Sequence, residues 1–325
     1  GTTGKPKSIV HSSGGTLIQH VKELSLHTNI KKGDKIFYYT TCGWMMWNWL
    51  VSALSLGATI VLYDGNPFFP NERRLLELAS KSRINVFGTS AKYIDSLRLT
   101  GCKPSDEFNF DLLNSILSTG SPLAEENFEF VYNHWKKNVQ LSSISGGTDI
   151  ISCFALGNPN LPVYKGELQC LGLGMNVKSY DDSGNSIISE KGELVCETPF
   201  PSMPIFFWND KDDAKYHKAY FSKFKEKWTH GDYISINKLG GIRIFGRSDA
   251  TLNPGGVRIG TSEIYKVVDQ IDGVLDSVAI SKNFNGDDKI LLFVKMSKEF
   301  NNETITLIKQ RLREECSPKH VPYKV

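Results

Sequence analysis

The stretch Ile36–Leu62 reads IFYYTTCGWMMWNWLVSALSLGATIVL and decides the fold. Ile36–Tyr39 is a short apolar run typical of a buried strand, and Trp44–Leu56 is long enough for a buried helix. Gly57 indicates the end of that helix, because glycine readily adopts the left-handed conformation found there. The β-branched run Thr59–Leu62 then favours a second strand. The stretch therefore predicts a strand, a helix and a strand in succession.

A membrane span is the alternative for this stretch, because no charged residue occurs between Ile36 and Tyr63. Polar Asn48, Ser52 and Ser55 interrupt the apolar surface. A helix, a glycine stop and a strand account for the same residues, so no span is predicted.

Strands and helices continue to alternate after this stretch. The predicted helices are Glu72–Lys81, Ala91–Leu97 and Ala124–Trp135, and the predicted strands are Asn85–Phe87 and Ser115–Ser118. Such alternation is typical of an α/β layered fold with a largely parallel sheet. We therefore expect an α/β subdomain over residues 1–150.

The pattern changes in the second half of the chain. Short strands between Gly, Pro and Asp turns predict a small β-rich subdomain over 151–248, with strands at Gly192–Glu197, Tyr233–Ile236 and Ile242–Phe245. A partial α+β domain is predicted over 249–325, from a helix at Ser262–Ile271, strands at Val274–Ser281 and Lys289–Met296, and a helix at Glu303–Glu315.

Composition excludes several classes of function. The 325 residues include 38 basic and 35 acidic ones, and this balance gives no reason to expect nucleic acid or an anionic membrane as a partner. The six cysteines are scattered without a CxxC pair, which favours a reducing compartment. The histidines show no HxxxH spacing and the chain has no GxSxG elbow, so neither a zinc site nor a serine hydrolase is predicted.

The first seven residues, GTTGKPK, suit a triphosphate. Glycines let backbone N–H groups approach phosphate oxygens, hydroxyls donate hydrogen bonds, and lysine supplies positive charge. Pro6 follows Lys5, so the segment does not match the nucleotide-triphosphatase loop. By itself it could equally be a solvated turn.

Six segments in order resemble motifs of the adenylate-forming enzymes, the acyl-CoA synthetase superfamily. They are Gly1–Lys7, Ser118–Leu123, Ser145–Asp149, Thr229–Asp232, Gly246–Asp249 and Gly255–Glu263. Within the superfamily, Thr41–Trp49, Ser145–Asp149 and Met203–Trp208 are similar to the branch that activates acetoacetate. The resemblance implies the adenylate-forming fold. It also implies that the substrates are acetoacetate, ATP and coenzyme A, and that Mg²⁺ is the metal. Another short-chain acyl-CoA synthetase, acting on propionate or butyrate, and a nucleotide-binding module without catalysis remain alternatives.

The resemblance assigns the nucleotide contacts. Phosphate contacts fall on Thr2, Thr3, Gly4, Lys5 and Lys7, adenine contacts on Gly120, Ser121 and Pro122, and sugar, phosphate or coenzyme A contacts on Asp232, Arg247, Arg258 and Gly256. Each of these residues could instead have a purely structural role, such as a solvated charge at Lys7, a turn at Asp232 or a surface ion pair at Arg247. Pro122 also suits a helix start.

Catalysis falls on Thr148, Asp149 and Lys7 by the same resemblance. Thr148 is expected to donate to the α-phosphate. Asp149 stands where the family has Glu, and it is expected to place Mg²⁺, because a hard cation prefers oxygen ligands. Asp is one methylene shorter, so it could act through water or merely cap a turn.

The acid pocket is expected at Gly146 and Gly147, where acetyl-selective relatives carry a Trp that closes the pocket. Trp44 is expected to supply the opposite wall, with an ordinary core position as the alternative. Asp249 is expected to be the hinge between the AMP-binding domain, 1–248, and a mobile C-terminal domain.

The resemblance also implies that the chain is a fragment. It starts within the phosphate loop and stops before the family's late catalytic lysine, so we expect it to be inactive in isolation. A cytosolic location is expected from composition and family.

Overall fold

The computed structural model describes residues 8–248, 252, 259–284 and 287–325. These residues form two compact units. The first draws on the described residues of Gly1–Lys178, Val195–Thr229 and Ile236–Arg243, and the second on those of Ser179–Leu194, His230–Ser235 and Ile244–Val325. Asp249 lies outside the described residues, so the expected hinge stays a prediction.

The strands are short in the first half of the chain and longer towards its end. They are β1 Ile9–Val10, β2 Lys35–Tyr38, β3 Thr59–Val61, β4 Val86–Ser90, β5 Ser115–Thr119, β6 Gln140–Ser143, β7 Ser145–Gly147, β8 Ser152–Leu156, β9 Cys170–Leu171, β10 Val177–Tyr180, β11 Ser186–Ile187, β12 Gly192–Cys196, β13 Phe206–Phe207, β14 Trp228–Ile236, β15 Ile242–Arg247, β16 Val274–Phe284 and β17 Asp287–Met296. The helices are α1 Ser13–Lys22, α2 Met45–Ser52, α3 Arg74–Ser82, α4 Ala91–Leu99, α5 Pro104–Glu107, α6 Glu125–Phe130, α7 Ala214–Tyr220, α8 Thr261–Val268 and α9 Asn302–Glu315.

A five-stranded sheet of order β3-β2-β4-β5-β6 organises the first unit. All four neighbouring pairs run parallel. The predicted α/β fold with a parallel sheet is therefore confirmed. Because all five strands point the same way, the residues that follow them emerge at one edge of the sheet, where ligands of such folds bind.

Apolar residues cover both faces of this sheet. On β2, Phe37 packs into one cluster with residues of α3, α4 and α6, whereas Ile36 and Tyr38 pack into another with residues of α2. On β4, Phe87 and Val86 divide between the same two clusters. Successive side chains of a strand point to opposite faces, so a sheet buried on both sides reads as a continuous apolar run.

The stretch from Ile36 to Leu62 forms the predicted strand, helix and strand. The helix is α-helical from Met45 to Ser52 and ends in a 3₁₀ turn, Ala53–Leu56. Gly57 terminates it with φ +71°. In the described part of the chain, no helix has the length and apolar character that a membrane span requires.

One predicted helix differs in its second half. Ala124–Trp135 was predicted as a single helix, but α6 ends at Phe130 and a π-helical turn, Val131–Trp135, follows. Lys136 N–H donates to the Val131 carbonyl at 2.9 Å, which closes the wider turn. Trp135 is buried there, with its ring 5.3 Å from that of Phe87.

The predicted strands of the second half are found, and the structure adds a helix. A sheet of order β11-β10-β12-β14-β15 contains them, with β14 beginning five residues before the predicted Tyr233. Helix α7 was not predicted. It is only seven residues long and follows Asp212 and Asp213, which both have positive φ.

The C-terminal part of the second unit has the predicted order of elements. Helices α8 and α9 pack on the antiparallel pair β16 and β17. Ile264, Val268, Leu292, Ile308 and Leu312 are almost completely buried in this core.

Candidate active site

The expected adenine segment lies at the carboxyl edge of the parallel sheet. Gly120 directly follows β5 and has φ +94°, a conformation that favours glycine. Ser121 and Pro122 are exposed beside it. Thr119 Oγ1 donates to the Ile144 carbonyl at 2.8 Å, which ties the end of β5 to the segment after β6. This edge is thus open and fixed by hydrogen bonds.

Thr148 and Asp149 lie in a 3₁₀ turn, Thr148–Ile150, between β7 and β8. Thr148 is exposed and Asp149 is half-buried. The hydroxyl of Tyr220, on α7, donates a short hydrogen bond to Asp149 Oδ1. The Tyr220 ring stacks on Trp228 with 3.8 Å between ring centroids. The Asp149 carboxylate is therefore held by a side chain that is itself held by packing.

The backbone after this turn is strained. Ile151 has φ +47° and ψ +34°, which costs a β-branched residue about 1–2 kcal/mol. His20 Nε2 lies 2.5 Å from the Ile151 carbonyl oxygen, and burial lowers the pKa of His20 despite that bond. Glu23 Oε1 accepts from Ser152 Oγ at 2.5 Å and from Cys153 N–H at 3.3 Å. A buried polar frame thus holds the chain next to Thr148 and Asp149.

Strand β1 leads out of the expected phosphate loop towards the same place. Its residue Ile9 pairs with Phe207 of β13, and the Phe207 ring lies 5.7 Å from that of Tyr220. The loop residues themselves lie outside the described part, as do three other expected site residues: Thr2, Thr3, Gly4, Lys5, Lys7, Asp249, Gly256 and Arg258.

Glycine at position 146 has a local reason. A Cβ built there would lie 2.0 Å from the Ser152 carbonyl oxygen and 2.7 Å from Cys153 Cα, because β7 and β8 pair closely. A side chain at this position would meet backbone, so close strand packing gives a local reason for glycine here, and the acid pocket expected at Gly146 and Gly147 stays a prediction. Gly147 begins the turn that carries Thr148.

Trp44 caps the start of α2 and is half-buried, with its ring 6.1 Å from that of Tyr38. A cavity of about 330 Å³ lies between residues of α1 and α2. Its lining residues are His11, Ser12, Ser13, Thr16, Leu17, His20, Trp47, Asn48, Val51, Ser52 and Ile151. Trp47, on α2, borders this cavity, whereas Trp44, Gly146 and Gly147 do not. Trp49, also on α2, is completely buried in the core, and the expected role of Trp44 as a pocket wall stays a prediction.

Asp232 and Arg247 meet in the second unit. Arg247 Nη1 lies 3.6 Å from Asp232 Oδ1, and His230 Nε2 lies 3.5 Å from Asp232 Oδ2. Asp232 is 8% exposed, so its carboxylate is nearly buried between two basic groups. A carboxylate with two acceptor oxygens, fixed in this way, can bind a pair of hydroxyls.

Several residues of these sites were not predicted. Tyr220 contacts Asp149, and His20 and Glu23 contact residues 151–153, each from far along the chain, and none of the three belongs to a recognisable motif. His230 lies within the Thr229–Asp232 motif, but no role was predicted for it. His20 and Glu23 stand three residues apart in a segment that also contains Gln19 and Lys22, so the local sequence does not set them apart.

The donor set near Asp149 suits a magnesium ion that also binds phosphate. Within the described residues, no three His, Cys, Asp or Glu side chains gather into a metal cage. Magnesium, however, usually takes one or two protein carboxylates and completes its shell with water and substrate phosphates. A single carboxylate at Asp149 fits that pattern.

Comparison with known families gives the class of protein. The family model described as AMP-binding enzyme matches residues 1–204, more than half of the chain. The chain therefore belongs to the AMP-binding enzyme family.

Three relatives that the chain resembles over almost its whole length are acetoacetyl-CoA synthetases. The acetoacetyl-coenzyme A synthetase of Rhizobium meliloti (strain 1021) is 53% identical over the whole chain, and the acetoacetyl-CoA synthetase of Gallus gallus is 51% identical over 99% of it. The structure of acetoacetyl-CoA synthetase from Streptomyces lividans matches 99% of the chain with a TM-score of 0.92 and 41% identity. The chain spans about half the length of these relatives, 50%, 49% and 50% respectively.

Proposed function

We propose that the protein carrying this chain is an acetoacetate–CoA ligase, which uses ATP to join acetoacetate to coenzyme A and releases AMP and pyrophosphate. The observation that carries the proposal is the match of 99–100% of the chain to acetoacetyl-CoA synthetases. The Thr148–Asp149 turn supports it, because an exposed hydroxyl can donate to a phosphate oxygen and a held carboxylate can place a metal ion beside it.

In the first half-reaction an oxygen of the acid attacks the α-phosphorus of ATP, and the bond to pyrophosphate breaks. Both reactants are anionic, so hydrogen-bond donors and cations must offset their repulsion. Thr148, exposed on its turn, donates to the α-phosphate in this proposal. Thr2, Thr3, Gly4, Lys5 and Lys7 surround the β- and γ-phosphates. A magnesium ion, when bound, neutralises phosphate charge, and Asp149 is the residue that would hold it directly or through water.

The nucleoside is held at two places. Gly120, Ser121 and Pro122 line the adenine at the open carboxyl edge of the parallel sheet. Asp232 accepts from the two ribose hydroxyls, and Arg247 lies beside it to hold the carboxylate and contact the ribose or phosphate.

In the second half-reaction the thiol of coenzyme A attacks the acyl carbon, and AMP leaves. For this step we propose a domain of residues 1–248 and a mobile part from 249 that turns at Asp249. Gly256 would let the pantetheine arm pass close to the backbone, and Arg258 would contact phosphate or coenzyme A. A cytosolic location is also proposed, in keeping with six free thiols.

A screen of acids tests this function. The protein that carries this chain would be assayed for ATP–pyrophosphate exchange with acetate, propionate, butyrate and acetoacetate. We expect the highest kcat/KM with acetoacetate. Preference for propionate or butyrate would mean that the protein is an acyl-CoA ligase with a different substrate from the one proposed. Exchange with none of the four acids would reject the ligase activity and favour a nucleotide-binding module.

A further inference from the structure

We infer that Tyr220 is a positioning residue for Asp149, which fixes the shortened carboxylate so that its other oxygen faces the metal–nucleotide complex. The inference rests on the proposed function, because that function gives Asp149 its metal. It adds a residue from α7, a helix that none of the sequence motifs contains.

The geometry begins with the bond itself. The Tyr220 hydroxyl donates to Oδ1 of Asp149, 71 residues away in the chain. A phenol donating to a carboxylate makes a charge-assisted hydrogen bond, which is stronger than a bond between neutral groups. With Oδ1 engaged in this way, Oδ2 has a defined direction and is left to accept a metal ion or its water.

Packing gives the phenol a fixed place. Tyr220 is 4% exposed. Its ring stacks on Trp228 at an interplanar angle of 14° and meets the edges of Phe207 and Tyr216, with centroids 5.7 and 5.6 Å away. Three aromatic neighbours leave the ring little freedom, so the hydroxyl can orient Asp149 at a small cost in side-chain entropy.

Asp149 has a particular need for such a partner. The family motif has Glu here, and Asp carries its carboxylate one methylene closer to the backbone. Its turn lies beside strained Ile151, so the backbone is not free to move towards the metal. Because the backbone is held, only the orientation of the Asp149 carboxylate still has to be fixed. The Tyr220 side chain contacts that carboxylate and can fix it.

Tyr216 provides a matched control. It lies one turn earlier on α7 in the same aromatic cluster, but its hydroxyl donates to the Pro204 carbonyl at 2.7 Å. Burial raises the pKa of Tyr216 to about 12, so it stays a neutral donor at ordinary pH. Tyr216→Phe removes a hydroxyl of the same kind, from the same helix, without touching Asp149.

The test is a titration with Mn²⁺, a paramagnetic substitute for Mg²⁺. The protein that carries this chain would be saturated with α,β-methylene-ATP, and bound Mn²⁺ would be followed by electron paramagnetic resonance. We expect Tyr220→Phe to raise the half-saturating Mn²⁺ concentration about fivefold or more, as loss of one charge-assisted hydrogen bond predicts. Tyr216→Phe should leave it within about twofold, and Tm should report that both variants fold.

Asp149→Asn tests the link from the other side while it leaves the aromatic cluster intact. We expect weaker Mn²⁺ binding in this variant and no further weakening when Tyr220→Phe is added, because residues that act through one another are not additive. The inference would be overturned if Tyr220→Phe bound Mn²⁺ as tightly as the unmodified protein, or if Asp149→Asn did. It would also be overturned if the effects of the two substitutions on Mn²⁺ affinity were fully additive in the double variant. Pyrophosphate exchange separates failure of this inference from failure of the proposed function. If the proposed function is wrong, the unmodified protein will show no exchange, whatever the Mn²⁺ titration gives.

Discussion

The indole nitrogen of Trp49 donates a 2.9 Å hydrogen bond to Oε2 of Glu23, and both side chains are completely buried. The other oxygen of Glu23 accepts from Gln19, Ser152 and Cys153. A buried carboxylate is stable only when donors surround it. The bond from Trp49 therefore joins α2 to the frame that holds the chain beside Asp149.

Trp49→Phe should lower the free energy of unfolding by about 1–3 kcal/mol, because Oε2 of Glu23 loses a buried donor. Urea unfolding would measure this. Trp47→Phe is the control, since Trp47 is only half-buried and borders the cavity. Equal losses in the two variants would show that the bond to Glu23 contributes nothing of its own.

Gly146→Ala should destabilise the first unit, because its Cβ would lie 2.0 Å from the Ser152 carbonyl oxygen. Overpacking of this kind costs about 1–3 kcal/mol, and the shift of β7 against β8 should also lower activity with every acid. Thermal unfolding and the four-acid screen measure these effects. A stable variant that has merely narrowed its choice of acid would instead support the interpretation of Gly146 as space for the substrate.

Asp232→Ala should weaken ATP binding by about 1–3 kcal/mol through lost hydrogen bonds to the ribose. Isothermal titration calorimetry with ATP and with 2′,3′-dideoxy-ATP would measure it. We expect the variant to lose its preference for ATP over the dideoxy analogue. Retention of that preference would remove Asp232 from the ribose site.

Glu263 should make the second unit sensitive to acid. Burial raises the pKa of its carboxyl, but hydrogen bonds from His320 and Lys191 and the charge of Lys191 outweigh burial and lower it from 4.5 to about 2. A lowered folded-state pKa stabilises the fold above the unfolded pKa, and this stability is lost as the pH falls. The window is therefore from about pH 4.5 down to about pH 2.

The size of this effect is limited by solvent. The full shift would correspond to about 3 kcal/mol, but the Glu263 side chain is 30% exposed, and screening reduces the contribution to about 1–2 kcal/mol. Unfolding of Glu263→Gln and the unmodified protein would be compared at pH 7 and pH 3. The difference between their free energies of unfolding should be smaller at pH 3 than at pH 7. An equal difference at the two pH values would contradict the lowered pKa of Glu263.

The parallel sheet was predictable because its physical signals are local and repeated. The inner strands β2, β4 and β5 are short, mostly buried runs, and the helix after β2 has its own stop at Gly57. Strand β6 at the edge, Gln140–Ser143, is mostly polar in sequence and was not predicted. The pairing of β2 with β3 and β4 follows from that alternation. Helix α1 was missed because Gly14 and Gly15 stand in its first turn and weaken the helical signal.

The candidate site was predictable only where residues form motifs. Thr148 and Asp149 follow one another in the sequence, so a pattern can identify them. Tyr220 contacts Asp149 from 71 residues away, and Glu23 contacts Ser152, just after the turn, from 129 residues away, so only the folded chain brings them there. Likewise, the clash that explains Gly146 depends on the pairing of β7 with β8, which no local pattern encodes.

Ile151 has a wider consequence. Its left-handed backbone is held in place by groups outside the turn, namely His20 at its carbonyl and Glu23 at the next two residues. These contacts hold the backbone after the turn without using the side chains at 148 and 149. A substitution at position 148 or 149 can therefore change the side chain presented there while His20 and Glu23 keep the backbone of the following residues in place.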